Sequence, residues 1–218
     1  MGWRNLIGFF VLTCVISWGY ESLSIATGFP FGNYHYTDNL GPKLGTVPVL
    51  IMPAYFGVCY ISWLIAGRLA QGAPLWGITV SAGFVMVMWD LSMDPARATV
   101  HQAWIWHDGG AYFGVPFQNF AGWFLCVVTI FAAFAVWQKR QDALANSTVQ
   151  SDAQALGLYG ALFAELVACL AYTPTGNVAD ATGYVWALAD IYQSLALVSI
   201  FTMGFVILLT SMKLAQKP

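Results

Sequence analysis

The chain has 218 residues, of which 59% are hydrophobic and only 8% charged, and its mean hydropathy is +0.66. Soluble domains carry roughly 25% charged residues, so this composition excludes a soluble enzyme and a disordered tail. The formal net charge of -2, from 8 basic and 10 acidic side chains, offers no basic field to a nucleic acid. What remains is an integral membrane protein, all-α, with a single transmembrane domain over 1–218.

A spanning helix needs about 20 mainly apolar residues. That window predicts about six spans, at 5–27, 47–67, 74–94, 116–138, 154–173 and 184–213. The first is read as an uncleaved helix, because no A-x-A site follows its long apolar stretch. With an even number of spans both termini share a side, which then holds Arg4, Arg68, Lys139, Arg140, Lys213 and Lys217. Only Lys43 and Arg97 fall on the other side. The positive-inside bias predicts cytoplasmic termini in a cell membrane, bacterial or archaeal. The stretch 139–153 reads as an ordinary polar linker. The outward connections 28–46 and 95–115 are instead rich in Gly, Pro, His and aromatics, and are expected to form interfacial or re-entrant backbone on one face. A third outward loop, 174–183, carries Asn177 and Asp180. The segment Pro30-Phe31-Gly32-Asn33-Tyr34 weakly echoes Pro116-Phe117-Gln118-Asn119-Phe120. The four cysteines, Cys14, Cys59, Cys126 and Cys169, lie in apolar runs without metal-site spacing and are read as small hydrophobes.

Carboxylates carry the functional signal. A charge at the bilayer centre costs at least about 2.5–3.5 kcal/mol, so an intramembrane acid is a functional candidate. Glu21 lies near the outer end of the first span. Asp90 and Asp94 end the third at i and i+4, which puts them on one helix face. Glu165 is expected near the middle of the fifth span, and Asp190 about two turns into the sixth. Two outer cations cannot partner five acids, so at least one acid is expected to keep its proton. A protonated carboxyl beside an apolar cavity is a proton donor. The bland alternatives are that Glu165 only hydrogen-bonds a neighbouring helix and that Asp94, before Pro95, only ends its own.

Three histidines, His35, His101 and His107, are too few for a membrane di-iron site, and no metal is assigned. One Asp-rich element is too little for a diphosphate-binding prenyltransferase. No phosphate loop, GxSxG elbow or CxxCH motif is present.

The loops carry a resemblance. Glu21 with Thr27-Gly28-Phe29-Pro30-Phe31-Gly32-Asn33-Tyr34-His35-Tyr36, then Leu40-Gly41-Pro42-Lys43-Leu44 and Val47-Pro48, resembles the first signature of the membrane carotenoid-biosynthesis family. Asp90-Leu91-Ser92-Met93-Asp94-Pro95 resembles the second. Trp104-Ile105-Trp106, Gly109-Gly110-Ala111-Tyr112-Phe113-Gly114-Val115-Pro116, Asn119-Phe120 and Gly122-Trp123 resemble the third. The likeness covers 20–123. The family includes hydratases of acyclic carotenoid ψ-ends, of the γ-carotene and bisanhydrobacterioruberin type. It implies an enzyme, a hydro-lyase that protonates a terminal alkene and adds water to the tertiary cation, with no cofactor. The resemblance implies Asp90 or Asp94 as proton donor, with Glu21 holding or tuning it. It implies His35, His101 and Asn119 as groups that orient water. Asn33, Tyr34, Tyr36, Trp104, Trp106 and Tyr112 are the other substrate-binding candidates, aromatic faces suiting a cation. The implied partners are a long isoprenoid and membrane lipid, with other carotenoid-pathway enzymes or a second copy as protein partners. A non-catalytic carotenoid-binding subunit and another protonation-dependent isoprenoid lyase or isomerase stay open as alternatives.

Overall fold

The structure is a computed structural model that describes residues 2–140, 149–172 and 174–216. Its helices are α1 (Trp3–Thr27), α2 (Ile51–Leu69), α3 (Leu75–Pro95), α4 (Phe117–Arg140), α5 (Val149–Ala168), α6 (Leu188–Phe201) and α7 (Met203–Ala215). Most of the polar linker expected at 139–153, and Lys217, lie outside the described residues.

The polarity of α1 shows what solvent the bundle is built for. Its buried residues are Asn5, Phe9, Thr13, Ser17, Glu21 and Ser24, five of them polar. Its exposed residues include Trp3, Ile7, Phe10, Val11, Val15, Trp18 and Leu23. In water this arrangement would be inside out. In lipid the apolar face costs nothing, and the polar stripe belongs inside, where it finds partners.

Among the described residues, five helical segments are long and apolar enough to cross a membrane: Trp3–Thr27, Leu75–Val100, Phe117–Lys139, Gln150–Ala171 and Leu188–Ala215. The remaining helix, α2, has 19 residues, about 28 Å at 1.5 Å per residue. It is diluted by Tyr55, Ser62 and Arg68, and it packs among α1, α3, α5 and α7. Being sheltered on many sides, α2 tolerates polar residues that a lipid-facing helix would not. Helices α1–α4 enclose one core, in which Phe9 stacks on Phe134 with ring centroids 4.1 Å apart. Helices α5 and α7 add a second core around Tyr159, Ile65 and Met203.

Side-chain contacts fix the direction of each crossing. A Cβ on Gly8 would lie 2.7 Å from Trp137, so the start of α1 meets the end of α4. The Arg68 guanidinium donates to the Lys213 carbonyl at 3.2 Å, joining the ends of α2 and α7. At the other end, Tyr55 near the start of α2 reaches Glu21 near the end of α1. Both described ends of the chain therefore sit at one end of the bundle, together with Arg4, Arg68, Lys139 and Lys213.

Two span boundaries differ from the expectation. Pro95 does not stop the third span, which continues through a π-helical turn, Ala96–Val100; the Leu91 carbonyl that the proline nitrogen cannot serve accepts from the Tyr112 hydroxyl at 3.1 Å. The last span is broken at Thr202, whose hydroxyl donates to the Val198 carbonyl at 2.6 Å.

The loops expected to face outward fold, among the described residues, into three short antiparallel ribbons. β1 (Tyr34–Tyr36) pairs with β4 (Trp104–Trp106), with Tyr34 opposite Trp106 and Tyr36 opposite Trp104. β2 (Lys43–Leu44) pairs with β3 (Val47–Pro48), and β5 (Asn177–Ala179) with β6 (Val185–Ala187). The connections 28–46 and 95–123 thus meet on one face, as their shared composition predicts. A Cβ on Gly122 would come within 2.7 Å of the Pro30 carbonyl, so the first turns of α4 press directly on the first loop.

This arrangement makes a topological prediction. In a background without native cysteines, Asp38→Cys should react with a membrane-impermeant thiol reagent added outside intact cells. Gln71→Cys, at the Arg68 end, should react only after permeabilisation. Reaction of both from one side would overturn the six-crossing order, and the reverse pattern would overturn the orientation.

Candidate functional site

The ribbon of β1 and β4 caps a cavity of about 630 Å³ at the loop end of the bundle. Each strand turns alternate side chains inward. In β1, Tyr34 and Tyr36 are buried while His35 is exposed. Helix α3 contributes Trp89 and Met93, and the π-helical turn after it contributes Arg97, all of them lining the cavity. Trp123 of α4 stacks flat on Tyr55 of α2, at 4.2 Å and 5°. The rim joins apolar Leu40, Leu50, Ile51 and Ala54 to polar Asn39, Arg97 and His101.

Three carboxyls are buried at this end of the bundle, one in the cavity wall and two behind it. Glu21 is 2% exposed and forms part of the wall. Its Oε2 accepts from the phenols of Tyr34 and, at 2.9 Å, Tyr36. Its Oε1 accepts from Tyr55 at 2.7 Å. Asp94 is held behind the wall, accepting from the Trp104 indole N–H at 2.9 Å and from the Asn119 amide at 2.5 Å. The same amide reaches Asp90 Oδ2 at 3.3 Å, so both acids do share one face. Asp90 Oδ1 and the Trp106 indole N–H are buried without a hydrogen-bond partner among the described residues. No cationic side chain forms an ion pair with any of the three acids among the described residues; the two ion pairs found there are Lys43–Asp38 and Arg97–Glu165. The negative charge in this site is therefore met by neutral donors: three phenols, one indole and one amide.

The phenols of Tyr34, Tyr36 and nearby Tyr112 are robust donors. Burial, and then the adjacent Glu21 carboxyl, push the Tyr34 and Tyr36 phenols well above the usual tyrosine range. Burial, with Asp94 and Asp90 nearby, pushes Tyr112 up to about 12. All three stay protonated at any physiological pH.

The candidate residues sort as follows. Glu21, Tyr34, Tyr36, Trp104, Trp106, Asn119 and the rim residue His101 line one cavity. Asp90 and Asp94 stand behind Asn119 and Trp104. Tyr112 is also set back, its hydroxyl donating to the Leu91 carbonyl at 3.1 Å. Asn33 and His35 are exposed on the outer side of the ribbon, away from the cavity. Glu165 is not at mid-membrane. It lies one turn from the end of α5 and meets Arg97 of the π-helical turn at 3.4 Å. Asp190 is in the first turn of α6 and exposed, not two turns in; a helix start favours an acid there. Both expectations assumed spans that ran further outward than these helices do.

Sequence reasoning missed Tyr55, Trp89, Met93 and the apolar rim. The available signal was a tyrosine, Tyr55, two residues after Pro53 inside an apolar span. A buried phenol needs a partner, but which partner is a question of packing.

On the outer side of the ribbon, His35 Nδ1 and His107 Nε2 lie 2.9 Å apart. Partial burial, then His107 and Lys43, lower the His35 pKa from 6.5. A histidine lowered in the folded state contributes stability that is present above its unfolded pKa and lost as pH falls. Amide protection of Tyr34–Tyr36 and Trp104–Trp106, corrected for intrinsic exchange, should therefore fall between about pH 7 and pH 5. His35→Asn should flatten that dependence. An equal acid loss in wild type and variant would remove the pair as its cause.

A family model described as "Carotenoid biosynthesis protein" matches residues 1–189. The bisanhydrobacterioruberin hydratase of Haloarcula japonica is 32% identical over 120 residues, covering 53% of this chain and 40% of that protein. The alignment thus spans well under half the length of that relative. No solved structure matches the chain.

Proposed function

Because the chain belongs to the carotenoid biosynthesis protein family, we propose that it is a membrane hydratase adding water to the terminal double bond of an acyclic carotenoid ψ-end. The observation that carries this reading is the pairing of an aromatic-rich cavity with three buried carboxyls that have no cationic partner among the described residues. The similarity to a protein named as a hydratase supports the same class of reaction.

The chemistry follows from the surroundings. An isolated trisubstituted alkene is a poor base, so it must meet a strong acid where water does not compete for the proton. The Asp90–Asp94 pair is the proposed acid; Asn119 and Trp104 stand between it and the cavity, so a shift of those two side chains as the substrate end enters would expose the carboxyl to the alkene. Two carboxyls bridged by one amide, away from solvent, hold a proton more readily than two charges. The π electrons take that proton, a C–H bond forms, and a tertiary carbocation remains. The faces of Trp104, Trp106 and Trp123 stabilise it by cation–π attraction. Water then forms the C–O bond and releases a proton, so the sum is alkene plus water to tertiary alcohol, without change of oxidation level. A substrate end entering past Leu50 and Ile51 leaves the rest of its chain in lipid, while Asn39, Arg97 and His101 keep water at the same rim.

Asp90→Asn and Asp94→Asn test this. Each amide keeps shape and removes the acid. At least one should lower alcohol formation from lycopene by roughly 10²–10⁴-fold per folded protein. The two should differ, because Asp94 has two donors and Asp90 keeps an oxygen without one. Near wild-type rates in both variants and in the double variant would place the acid elsewhere. Retained pigment with no alcohol, even in wild type, would identify a carotenoid-binding subunit.

A further inference from the structure

We propose that Glu21 is the base that binds and deprotonates the attacking water, and that Tyr55 is the positioning residue that leaves one oxygen position for it. This rests on the hydration reading above and assigns the half of the reaction that the aspartate pair does not perform.

The lone pairs of Glu21 are nearly all taken. A carboxylate offers about four acceptor positions, two on each oxygen. Oε2 of Glu21 is filled by Tyr34 and Tyr36. Oε1 takes one hydrogen bond, from Tyr55. Among the described residues no further donor reaches Oε1, which leaves it one acceptor position, and Glu21 belongs to the cavity wall. Each phenol has a single hydrogen and spends it on Glu21. Ringed by donors, this carboxyl presents a lone pair to the cavity, and a lone pair is what an incoming water needs.

The direction of the open position is set by Tyr55. Its ring lies flat against Trp123, so its hydroxyl cannot swing to the other Oε1 position without breaking the stack. Tyr34 and Tyr36 are fixed through a different element: their strand pairs with β4, and the Tyr34 ring lies 4.8 Å from that of Trp106. The two oxygens are thus clamped from opposite sides, by the loop ribbon and by α2. Trp123, which holds Tyr55, is also one of the faces available to the cation. Water on Oε1 and cation on Trp123 are therefore placed by one stacked pair.

The step balances. The aspartate pair gives one proton to carbon. The water oxygen forms the C–O bond, its O–H bond breaks, and that proton goes to Glu21 Oε1. One proton then returns from Glu21 to the aspartates through solvent, and the net consumption is one water.

A carbocation that is not captured by water loses a proton instead, from the carbon just protonated to regenerate the starting alkene or from a methyl group to give its terminal isomer, and this gives the test a readout other than total activity. Lycopene is incubated in D₂O with the purified protein in lipid nanodiscs. Alcohol and deuterium-labelled recovered alkene are both counted. In Tyr55→Phe the ring stays on Trp123 while Oε1 loses its donor. The ratio of alcohol to labelled alkene should fall by about tenfold or more, with KM within about twofold of wild type. Glu21→Asp, which withdraws the carboxyl but keeps its charge, should lower the ratio likewise, so either variant decides the matter if the other does not accumulate. An unchanged ratio, or equal loss of both products, would overturn the assignment and leave Tyr55 a packing residue. If wild type forms neither alcohol nor labelled alkene, it is the hydratase reading itself that fails.

Discussion

Three carboxyls buried among helices in lipid, with no cation bound to them among the described residues, are the constraint around which the rest of this structure is arranged. Each such group costs several kcal/mol if left unsatisfied. Arginine or lysine partners would cancel the charge and also quench the acid. Neutral donors solve the first problem without creating the second. The phenols of Tyr34, Tyr36 and Tyr55, the Trp104 indole and the Asn119 amide supply hydrogen bonds and leave the carboxyls chemically available.

Those donors come from four different elements, β1, β4, α2 and α4, and bringing them together explains the shape of the loop face. Tyr34 and Tyr36 lie 13 and 15 residues after Glu21, too close in sequence to return from across the membrane. They reach Glu21 because the loop doubles back as β1 and is fixed there by pairing with β4. The same pairing delivers Trp104 to Asp94. A single three-residue ribbon thus completes two hydrogen-bonding sites at once. Irregular backbone near membrane depth survives only where it is buried or borders a wet cavity, and this ribbon does both: its inner face closes the cavity and its outer face carries His35 and His107.

The aromatic load serves two solvents. Rings such as Trp3, Trp76 and Phe117 are exposed and belong to the lipid interface. Tyr34, Tyr55, Trp104, Trp106 and Trp123 line the cavity, where a ring offers an apolar wall to an isoprenoid and a negative face to a cation. The charged residues divide in the same way. Lys43 with Asp38 and Arg97 with Glu165 are satisfied at the rim, so the acids inside keep their own chemistry.

The membrane class, the approximate six spans and the gathering of chemistry on one face were legible in the sequence. They depend on composition and on apolar run length, which are local properties that the bilayer reads residue by residue. The shared face of Asp90 and Asp94 was legible too, because helix periodicity alone places i beside i+4. Only the tertiary structure decided that Glu21, not the aspartates, borders the cavity, that Asn33 and His35 face outward, and that Glu165 and Asp190 sit at helix ends. Strand register makes the choice for the first loop: in a ribbon of alternating faces, one residue of slip would exchange Tyr34 and Tyr36 for Asn33 and His35. Tyr55 was invisible for a related reason. Its meaning lies in a hydrogen bond across 34 residues and a stack on another helix, and no local pattern encodes a partner that only packing brings within reach.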